Sequence, residues 1–198
     1  MAVDPVLQSI VERADNTMVF HPADAFVMSC GTVTIDLQRG LILLIWNKKL
    51  QAYQLPKGRR NIDENMWSAA LRETYEETGY LVRPLRLKIA TRATPPAAEK
   101  TTDNPQITEG RISTEILGIC IYPDPQSDAP ALKMVFYYVA TADSTATPAV
   151  GTQENHEKLE ASWVPVAEAA AKLRFQGEKA VVLKALDDIR KTGYTIGG

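Results

Sequence analysis

Three glutamates in one short segment have the spacing of a cation-binding group. Glu73, Glu76 and Glu77 belong to a stretch with helical composition, and rotation of about 100° per residue places all three within one arc of about 100°. Like charges at this spacing destabilise a helix by about 0.2–0.5 kcal/mol per pair. A divalent cation would remove the repulsion, because Mg²⁺ binds carboxylate oxygens together with phosphate groups. Such a cation lowers the pKa of a bound water, so the three residues predict hydrolysis of a phosphate compound.

The residues around these glutamates help to separate a metal site from an ordinary charged helix face. For an arbitrary Glu-rich helix, a solvated face paired with nearby bases is the favoured interpretation. Here the spacing runs Gly58, five residues, Glu64, seven residues, Arg72-Glu73, two residues, Glu76-Glu77, one residue, Gly79. This spacing resembles the Nudix box at every charged and glycine position. The flanking strands and Trp163-Val164-Pro165 resemble the rest of a Nudix domain more loosely.

The resemblance implies an activity, a cofactor and a fold. The implied catalytic set within the box comprises Arg72, Glu73, Glu76 and Glu77. The implied ligands of Mg²⁺ or Mn²⁺ are the three glutamates and the Gly58 backbone carbonyl, with Arg72 bracing the glutamates by ion pairing. We therefore expect a Mg²⁺-dependent pyrophosphohydrolase that cleaves a phosphoanhydride bond by water attack, in a nucleoside-diphosphate-linked or diphosphoinositol polyphosphate substrate. The alternative is a Nudix-like domain that senses a nucleotide without cleaving it. The fold implied is an α+β fold with a mixed β-sheet sandwiched between α-helices.

Four other positions of the box carry expectations of their own. The resemblance implies that Glu64 supports the metal site and that Gly79 lets the chain leave the helix. Thr74 and Tyr80 stand where the family has aliphatic residues. Both are expected on the packing side of the helix, where they would reduce apolar burial slightly without affecting catalysis.

A proton acceptor or further metal ligand is expected outside the box, shortly before Trp163. Nudix enzymes often take such a group from a loop, and Glu157 is the first choice because similar domains place an acidic residue several positions before this tryptophan. Glu154 and Glu160 are neighbouring candidates, and His156 is a weaker one. For any one of the acidic residues, a solvent-facing charge is the alternative.

Five basic residues are candidates for binding the phosphates of a substrate: Lys49, Lys57, Arg59, Arg60 and Lys133. Three of them flank Gly58, from which long basic side chains could reach a polyphosphate held by metal ions. Ordinary solvated charge is the alternative. The sequence Leu55-Pro56-Lys57-Gly58 resembles the start of the box in enzymes that act on diadenosine polyphosphates and diphosphoinositol polyphosphates. A densely charged small-molecule polyphosphate is therefore the expected partner.

The elements that must position these residues can be read from the pattern of apolar residues. Strands are predicted at 26–35 and 41–46 as a hairpin, and at 85–93, 113–122 and 132–142, with a further extended piece ending at Pro165. Helices are predicted at 6–14, 65–78, 167–173 and 178–190. The loop at 94–110 is long enough to be either a substrate gate or a surface insertion.

Composition limits the class of protein. A length of 198 residues suits one domain, which we place at 25–191 between an N-terminal extension (1–24) and a C-terminal tail (192–198). A net charge of −2 with mixed signs makes nucleic acid an unlikely partner, and no apolar run reaches the roughly 20 residues that span a bilayer. The first twenty residues contain acidic residues and no long apolar run, so we expect no signal peptide and a location in the cytoplasm or the nucleus. The sequence does not indicate an oligomeric state.

Overall fold

The computed structural model describes residues 4–96, 107–125, 131–154 and 158–197. In these ranges the helices are α1 (Pro5–Thr17), α2 (Met66–Thr78), α3 (Val166–Lys172) and α4 (Gln176–Thr192). The longer strands are β1 (Phe26–Asp36), β2 (Leu41–Asn47), β8 (Gly118–Pro123), β9 (Leu132–Thr141) and β10 (Leu159–Pro165). The short strands are β3 (Ala52–Gln54), β4 (Lys57–Arg59), β5 (Arg83–Pro84), β6 (Leu87–Lys88) and β7 (Ile112–Ser113).

Most of the strands form one mixed sheet, which confirms the predicted fold class. Its order is β10-β2-β1-β9-β5, with β3 beside β2, β4 beside β1 and β8 beside β9. The long β1 and β9 run parallel, from Phe26 opposite Leu132 to Ile35 opposite Thr141, whereas the other pairs are antiparallel. The predicted hairpin is present as β1 and β2.

Helices cover both faces of this sheet because successive side chains of a strand point in opposite directions. On β1, Cys30 packs with Ala69 and Ala70 of α2. Val33 and Ile35 join the larger core cluster, which includes residues of α3 and α4. The sheet is therefore sandwiched between α2 on one side and α3 with α4 on the other, as expected.

Helix α2 begins and ends where the sequence predicts. The Asn65 side chain caps its first turn by accepting from the Ser68 N–H at 2.8 Å, and Gly79 ends it with φ 75°, a conformation that glycine adopts without steric cost. Thr74, which is expected on the packing side, is fully buried, whereas Leu71 and Tyr75 are only partly buried.

Thr74 packs through a hydrogen bond rather than through apolar contact. Its hydroxyl lies 2.8 Å from the hydroxyl of Thr32 on β1, and it donates to the Ala70 carbonyl at 2.8 Å. The polar residue at this position of the box is therefore matched by a polar residue on the sheet beneath it, so that the buried hydroxyl has partners.

Two of the predicted strands are broken. In 85–93 the expected alternation of buried apolar residues is present, since Leu85, Leu87 and Ile89 are buried. The Lys88 N–H, however, donates to the Thr192 hydroxyl and not to a neighbouring strand. Leu87–Lys88 pairs with β7, and Thr91 forms an isolated bridge with Thr108. In 113–122 the chain leaves the extended pattern at Thr114, whose carbonyl accepts from the Trp67 indole at 2.7 Å.

The ends of the chain differ in how they contact the domain. Helix α1 confirms the predicted N-terminal helix, but none of its residues is buried. After α4, Ile196 packs against the core and the Gly197 N–H donates to the Leu37 carbonyl at 2.8 Å. No helix in the described part of the chain is long and apolar enough to span a membrane.

Asp36 fixes the turn between β1 and β2. Its Oδ1 accepts from the backbone N–H groups of Gln38 and Arg39 at 3.0 and 3.1 Å, and its Oδ2 accepts from the Ser144 N–H and hydroxyl at 2.9 and 2.6 Å. Burial raises the pKa of Asp36, but the hydrogen bonds from Ser144 and Arg39 outweigh burial and lower this pKa to about 2.

Asp36→Asn should destabilise the protein near neutral pH and have less effect in acid. A carboxyl group with a depressed pKa in the folded state stabilises the fold above its unfolded pKa of about 3.9, and loses that contribution as the pH falls towards 2. The shift corresponds to about 2 kcal/mol. We expect urea unfolding to show this loss near neutral pH and a smaller one in strong acid. An equal loss under both conditions would contradict the assignment.

Candidate active site

The glutamates of α2 meet the sheet at Gly58. Strand β4 pairs with β1 so that Gly58 lies opposite Cys30, which faces α2. A Cβ placed on Gly58 would stand 1.7 Å from Oε2 of Glu73, so the Glu73 carboxylate fills the space that any larger residue would need. The role of the Gly58 carbonyl as a metal ligand stays a prediction, and the contact with Glu73 is a separate, steric reason for a glycine at this position.

The three glutamates differ in burial. Glu73 and Glu77 are 8% and 5% exposed, while Glu76 is half-buried. Oε2 of Glu77 accepts a hydrogen bond from the Lys57 backbone N–H at 2.8 Å, which ties the end of the helix to β4. Carboxylates buried to this degree require charge compensation and hydrogen bonds.

Arg72 brings the acidic residues of the box together. Its guanidinium donates to Glu64 through two nitrogens, each at 2.8 Å, and through Nη1 to Glu73 and Glu76, each at 2.7 Å. It also donates to the Arg59 carbonyl at 3.0 Å. Hydrogen bonds from Arg72 lower the pKa of Glu64, and the same contacts raise the pKa of Arg72, which stays charged. This geometry is that of the brace implied by the family resemblance.

The residues present fit a hard divalent cation. The buried Glu73 carboxylate lies against the Gly58 backbone, and the buried Glu77 carboxylate accepts from the N–H of the neighbouring Lys57. Oxygen donors of this kind are the ligands that Mg²⁺ prefers. Within the described residues, no three acidic, His or Cys side chains converge on one centre. Arg72 instead holds one oxygen each of Glu73 and Glu76.

A cleft of about 500 Å³ opens over the glutamates and carries many charges. The basic residues that line it are Lys49, Lys57, Arg59, Arg72, Lys133 and Lys158. The acidic ones are Glu73, Glu76, Glu77 and Glu154. No aromatic residue is among the described residues that line the cleft.

Lys57 and Lys133 affect each other electrostatically. Burial lowers the pKa of Lys57, but the Glu77 and Glu178 carboxylates more than offset this effect and raise it. Burial lowers the pKa of Lys133, and the charge of Lys57 lowers it further. Two cations that repel one another in a partly buried cleft would both be stabilised by a bound anion.

The remaining predicted phosphate-binding residues divide into two groups. Lys49 and Arg59 line the cleft. Arg60 does not: its guanidinium donates to the Glu64 carbonyl at 2.7 Å, so that it supports the loop before α2. The structure therefore does not bring Arg60 together with the other four bases.

Sequence reasoning did not find two residues of the cleft region. Lys158, just before β10, lines the cleft, and the buried Asp124 accepts from the Arg59 guanidinium at 3.4 Å. Asp124 lies 65 positions from Arg59 and follows a strand with no other acidic residue. Only its position directly after an apolar strand could have drawn attention to it.

The loop before β10 is tied to the end of α2. The Thr152 hydroxyl donates to the Glu76 carbonyl at 2.7 Å, and the Gln153 amide donates to the Glu77 carbonyl at 3.1 Å. Glu154, next in the chain, lines the cleft. Glu160 instead forms an ion pair with Lys48.

Two of the acid–base candidates cannot be placed. Glu157, the first choice for a proton acceptor, lies outside the described residues, and so does His156. Their roles stay predictions.

The tryptophans near the site pack against tyrosines. Trp46 lies 5.0 Å from Tyr53 between ring centroids, and Trp163 lies edge-on to Tyr80 at 5.4 Å. Neither tryptophan lines the cleft. Tyr80, which departs from the aliphatic pattern of the box, thus contributes an aromatic contact.

Solved structures share this fold. A NUDIX hydrolase from Nitrosomonas europaea is 14% identical, with a TM-score of 0.54 over 87% of this chain and 93% of that one. A C. elegans Ap4A hydrolase, solved as a binary complex, is 16% identical, with a TM-score of 0.51 over 83% and 98%. A MutT protein from Bacillus halodurans is 16% identical, with a TM-score of 0.51 over 86% of each chain. At these identities the similarity shows the fold alone.

Sequence comparison establishes the family. No curated protein sequence matches the chain significantly. The NUDIX domain family model, however, matches residues 26–186, which is most of the chain and includes the whole box. The chain therefore belongs to the NUDIX domain family.

Proposed function

We propose that the protein is a divalent-metal-dependent pyrophosphohydrolase that cleaves a phosphoanhydride bond of a small polyphosphate by attack of water. The observation that carries this proposal is the position of two buried glutamates, Glu73 against Gly58 and Glu77 against the Lys57 N–H, in the lining of a cleft with six basic residues. Family membership supports it, since Nudix hydrolases generally use divalent metals.

The metal ligands in this proposal are Glu73, Glu76, Glu77 and the Gly58 carbonyl. When bound, Mg²⁺ or Mn²⁺ would neutralise phosphate charge and lower the pKa of a water. Arg72 orients Glu73 and Glu76 through its hydrogen bonds and limits repulsion among the acids. It therefore acts on the reaction through the carboxylates it holds.

The attacking water needs a proton acceptor close to the cleft. We propose that it comes from the loop before β10, where Glu154 lines the cleft and Glu157 follows three residues later. The hydrogen bonds from Thr152 and Gln153 to the end of α2 keep the start of this loop beside the glutamates.

For the substrate, we propose a diphosphoinositol polyphosphate ahead of a diadenosine polyphosphate. Besides Arg72, whose guanidinium is bound to carboxylates, five bases line the cleft. They suit a compact, highly phosphorylated ligand, because each contact to a phosphate is a charge-assisted hydrogen bond. A nucleobase would gain most from an aromatic platform, and the described cleft lining contains none. The fold shared with a C. elegans Ap4A hydrolase is the reason to keep the dinucleotide as the second candidate.

A substrate panel tests this proposal. Phosphate or nucleotide release would be measured from a diphosphoinositol polyphosphate, a diadenosine polyphosphate and a nucleoside diphosphate sugar, each with Mg²⁺, with Mn²⁺ and with EDTA. We expect metal-dependent turnover that is fastest on the inositol compound. Nucleotide binding with no turnover of any compound would instead favour the sensing domain.

Lys133→Met should weaken substrate binding more than it slows the reaction. Loss of one charged hydrogen bond to a phosphate corresponds to about 1.5–3 kcal/mol, or roughly a tenfold or greater rise in KM with a smaller change in kcat. Lys191→Met is the matched control, because Lys191 is exposed at the end of α4 and pairs with Asp187 outside the cleft. Equal KM values for the two variants would show that Lys133 does not contribute to substrate binding.

A further inference from the structure

The 55–58 segment, which leads into the box, is anchored at three successive residues. The Pro56 carbonyl accepts from the Thr32 N–H of β1 at 3.3 Å, and the Lys57 N–H donates to Glu77 of α2 at 2.8 Å. The Leu55 N–H donates to Oε2 of Glu178 at 3.3 Å. The first two partners belong to the central strand and the box helix, but Glu178 belongs to α4, on the opposite face of the sheet.

Glu178 is a buried carboxylate that the proposed reaction does not use. It lies in the first turn of α4, is 5% exposed, and its Oε1 accepts from the Tyr137 hydroxyl at 3.1 Å. Tyr137 is itself 1% exposed on β9. Burial raises the pKa of Glu178, and the charge of Lys57 and the hydrogen bonds from Leu55 and Tyr137 offset only part of this rise. A buried carboxylate is costly unless such partners satisfy it.

The position of the 55–58 segment determines the geometry at the glutamates. Gly58 stands in contact with the Glu73 carboxylate, and the Lys57 N–H holds Glu77. Leu55 is fully buried, so a shift of its backbone would move a packed segment and not a free loop. A displacement of Leu55 would therefore be transmitted to both buried metal-ligand candidates within three residues.

We propose that Glu178 is a positioning residue, which holds the 55–58 segment through its hydrogen bonds to Leu55 and Tyr137 and thereby sets the metal-binding geometry of Gly58, Glu73 and Glu77. The inference rests on the proposed function for the identity of the metal ligands. Groups that orient metal ligands from outside the coordination shell commonly affect metal affinity or activity by about 10–100-fold.

Two conservative variants distinguish the effect of side-chain length from the effect of side-chain charge at Glu178. Glu178→Gln removes the charge but keeps the length of the side chain, and its amide can still accept from Leu55 and donate to the Tyr137 oxygen. Glu178→Asp keeps the charge but shortens the side chain by one methylene, so that it cannot span both partners. If hydrogen bonding positions the segment, the glutamine variant should resemble the wild type and the aspartate variant should not.

In the experiment, the full chain is titrated with Mn²⁺, and electron paramagnetic resonance measures the concentration of the free ion. Steady-state kinetics are measured on the compound of the panel that is hydrolysed fastest. Thermal unfolding would establish that each variant is folded at the assay temperature. Asp188→Asn is the matched control, because Asp188 is another buried carboxylate of α4, paired with Lys184 of the same helix.

We expect Glu178→Asp to weaken Mn²⁺ binding by about 10-fold or more, and Glu178→Gln and Asp188→Asn to change it by less than about 3-fold. Wild-type Mn²⁺ affinity in a folded Glu178→Asp variant would overturn the inference, as would equal losses in the glutamine and aspartate variants. Failure of the proposed function is a separate result: the wild type would then hydrolyse no compound of the panel, while the order of Mn²⁺ affinities could still be measured.

Discussion

Glu77→Gln is expected to abolish most of the hydrolase activity while leaving the protein folded. Glu77 is buried beneath the cleft, and its Oε2 accepts from the Lys57 N–H. Glutamine can still accept that hydrogen bond, but it carries no charge with which to hold a divalent cation. Loss of a metal ligand should lower kcat on the order of 10³-fold, which corresponds to about 4 kcal/mol of transition-state stabilisation.

The measurement is kcat at increasing Mg²⁺ concentration, so that a loss of metal affinity is distinguished from a loss of turnover at saturation. Glu168→Gln provides the matched control, since Glu168 is an exposed glutamate of α3 that pairs with Lys172. Both variants should unfold at nearly the same temperature. Turnover of Glu77→Gln equal to that of the wild type would refute the metal-binding role of α2.

Gly58→Ala is expected to have the second largest effect, for a steric reason. The added methyl group would stand 1.7 Å from Oε2 of Glu73 and 2.2 Å from its carboxyl carbon, so either the carboxylate or β4 must move. Glu73 is held on its other oxygen by Arg72 at 2.7 Å, which limits how far it can turn. Misplacement of a catalytic group by about 1 Å costs roughly 10²-fold in rate, and we expect a fall of this size in kcat/KM.

Gly118→Ala is the control for this substitution. Gly118 lies on β8, and a Cβ placed there meets no atom within 4 Å, so the same chemical change carries no steric cost. Activity and Mn²⁺ binding should be measured for both variants. If Gly58→Ala bound Mn²⁺ and turned over substrate as Gly118→Ala does, the contact between Gly58 and Glu73 would have no part in the site.

The box could be predicted from the sequence because its structure is local. The capping of α2 by Asn65, its end at Gly79 and the contacts of Arg72 with Glu73 and Glu76 all join residues within one helix or its ends. Their relative positions follow from the geometry of an α-helix, which spacing alone encodes. The β1–β2 hairpin is predictable for the same reason, since a short turn sets its register.

Predictions failed where a residue's partner lies in a different element. The 85–93 segment has the apolar alternation of a strand, but Lys88 bonds to Thr192, 104 positions away. Thr74 lies on the packing side of α2 as expected, but the spacing of the box does not indicate its partner, the Thr32 hydroxyl of β1. Alternation and helical spacing indicate which face is buried, and they do not indicate what lies against that face.

By itself, the sequence determined the chemistry: a helix with three clustered glutamates, a bracing arginine and a glycine on either side, within a mixed α and β fold. Only the tertiary structure decided which bases line the cleft: Arg60 does not, and Lys158 does. It also decided which buried acids bind residues near the cleft. Asp124 accepts a hydrogen bond from Arg59, which lies 65 positions away in the sequence, and Glu178 accepts one from Leu55, which lies 123 positions away. Such contacts depend on strand register and on how helices pack across a sheet, and no local spacing specifies either.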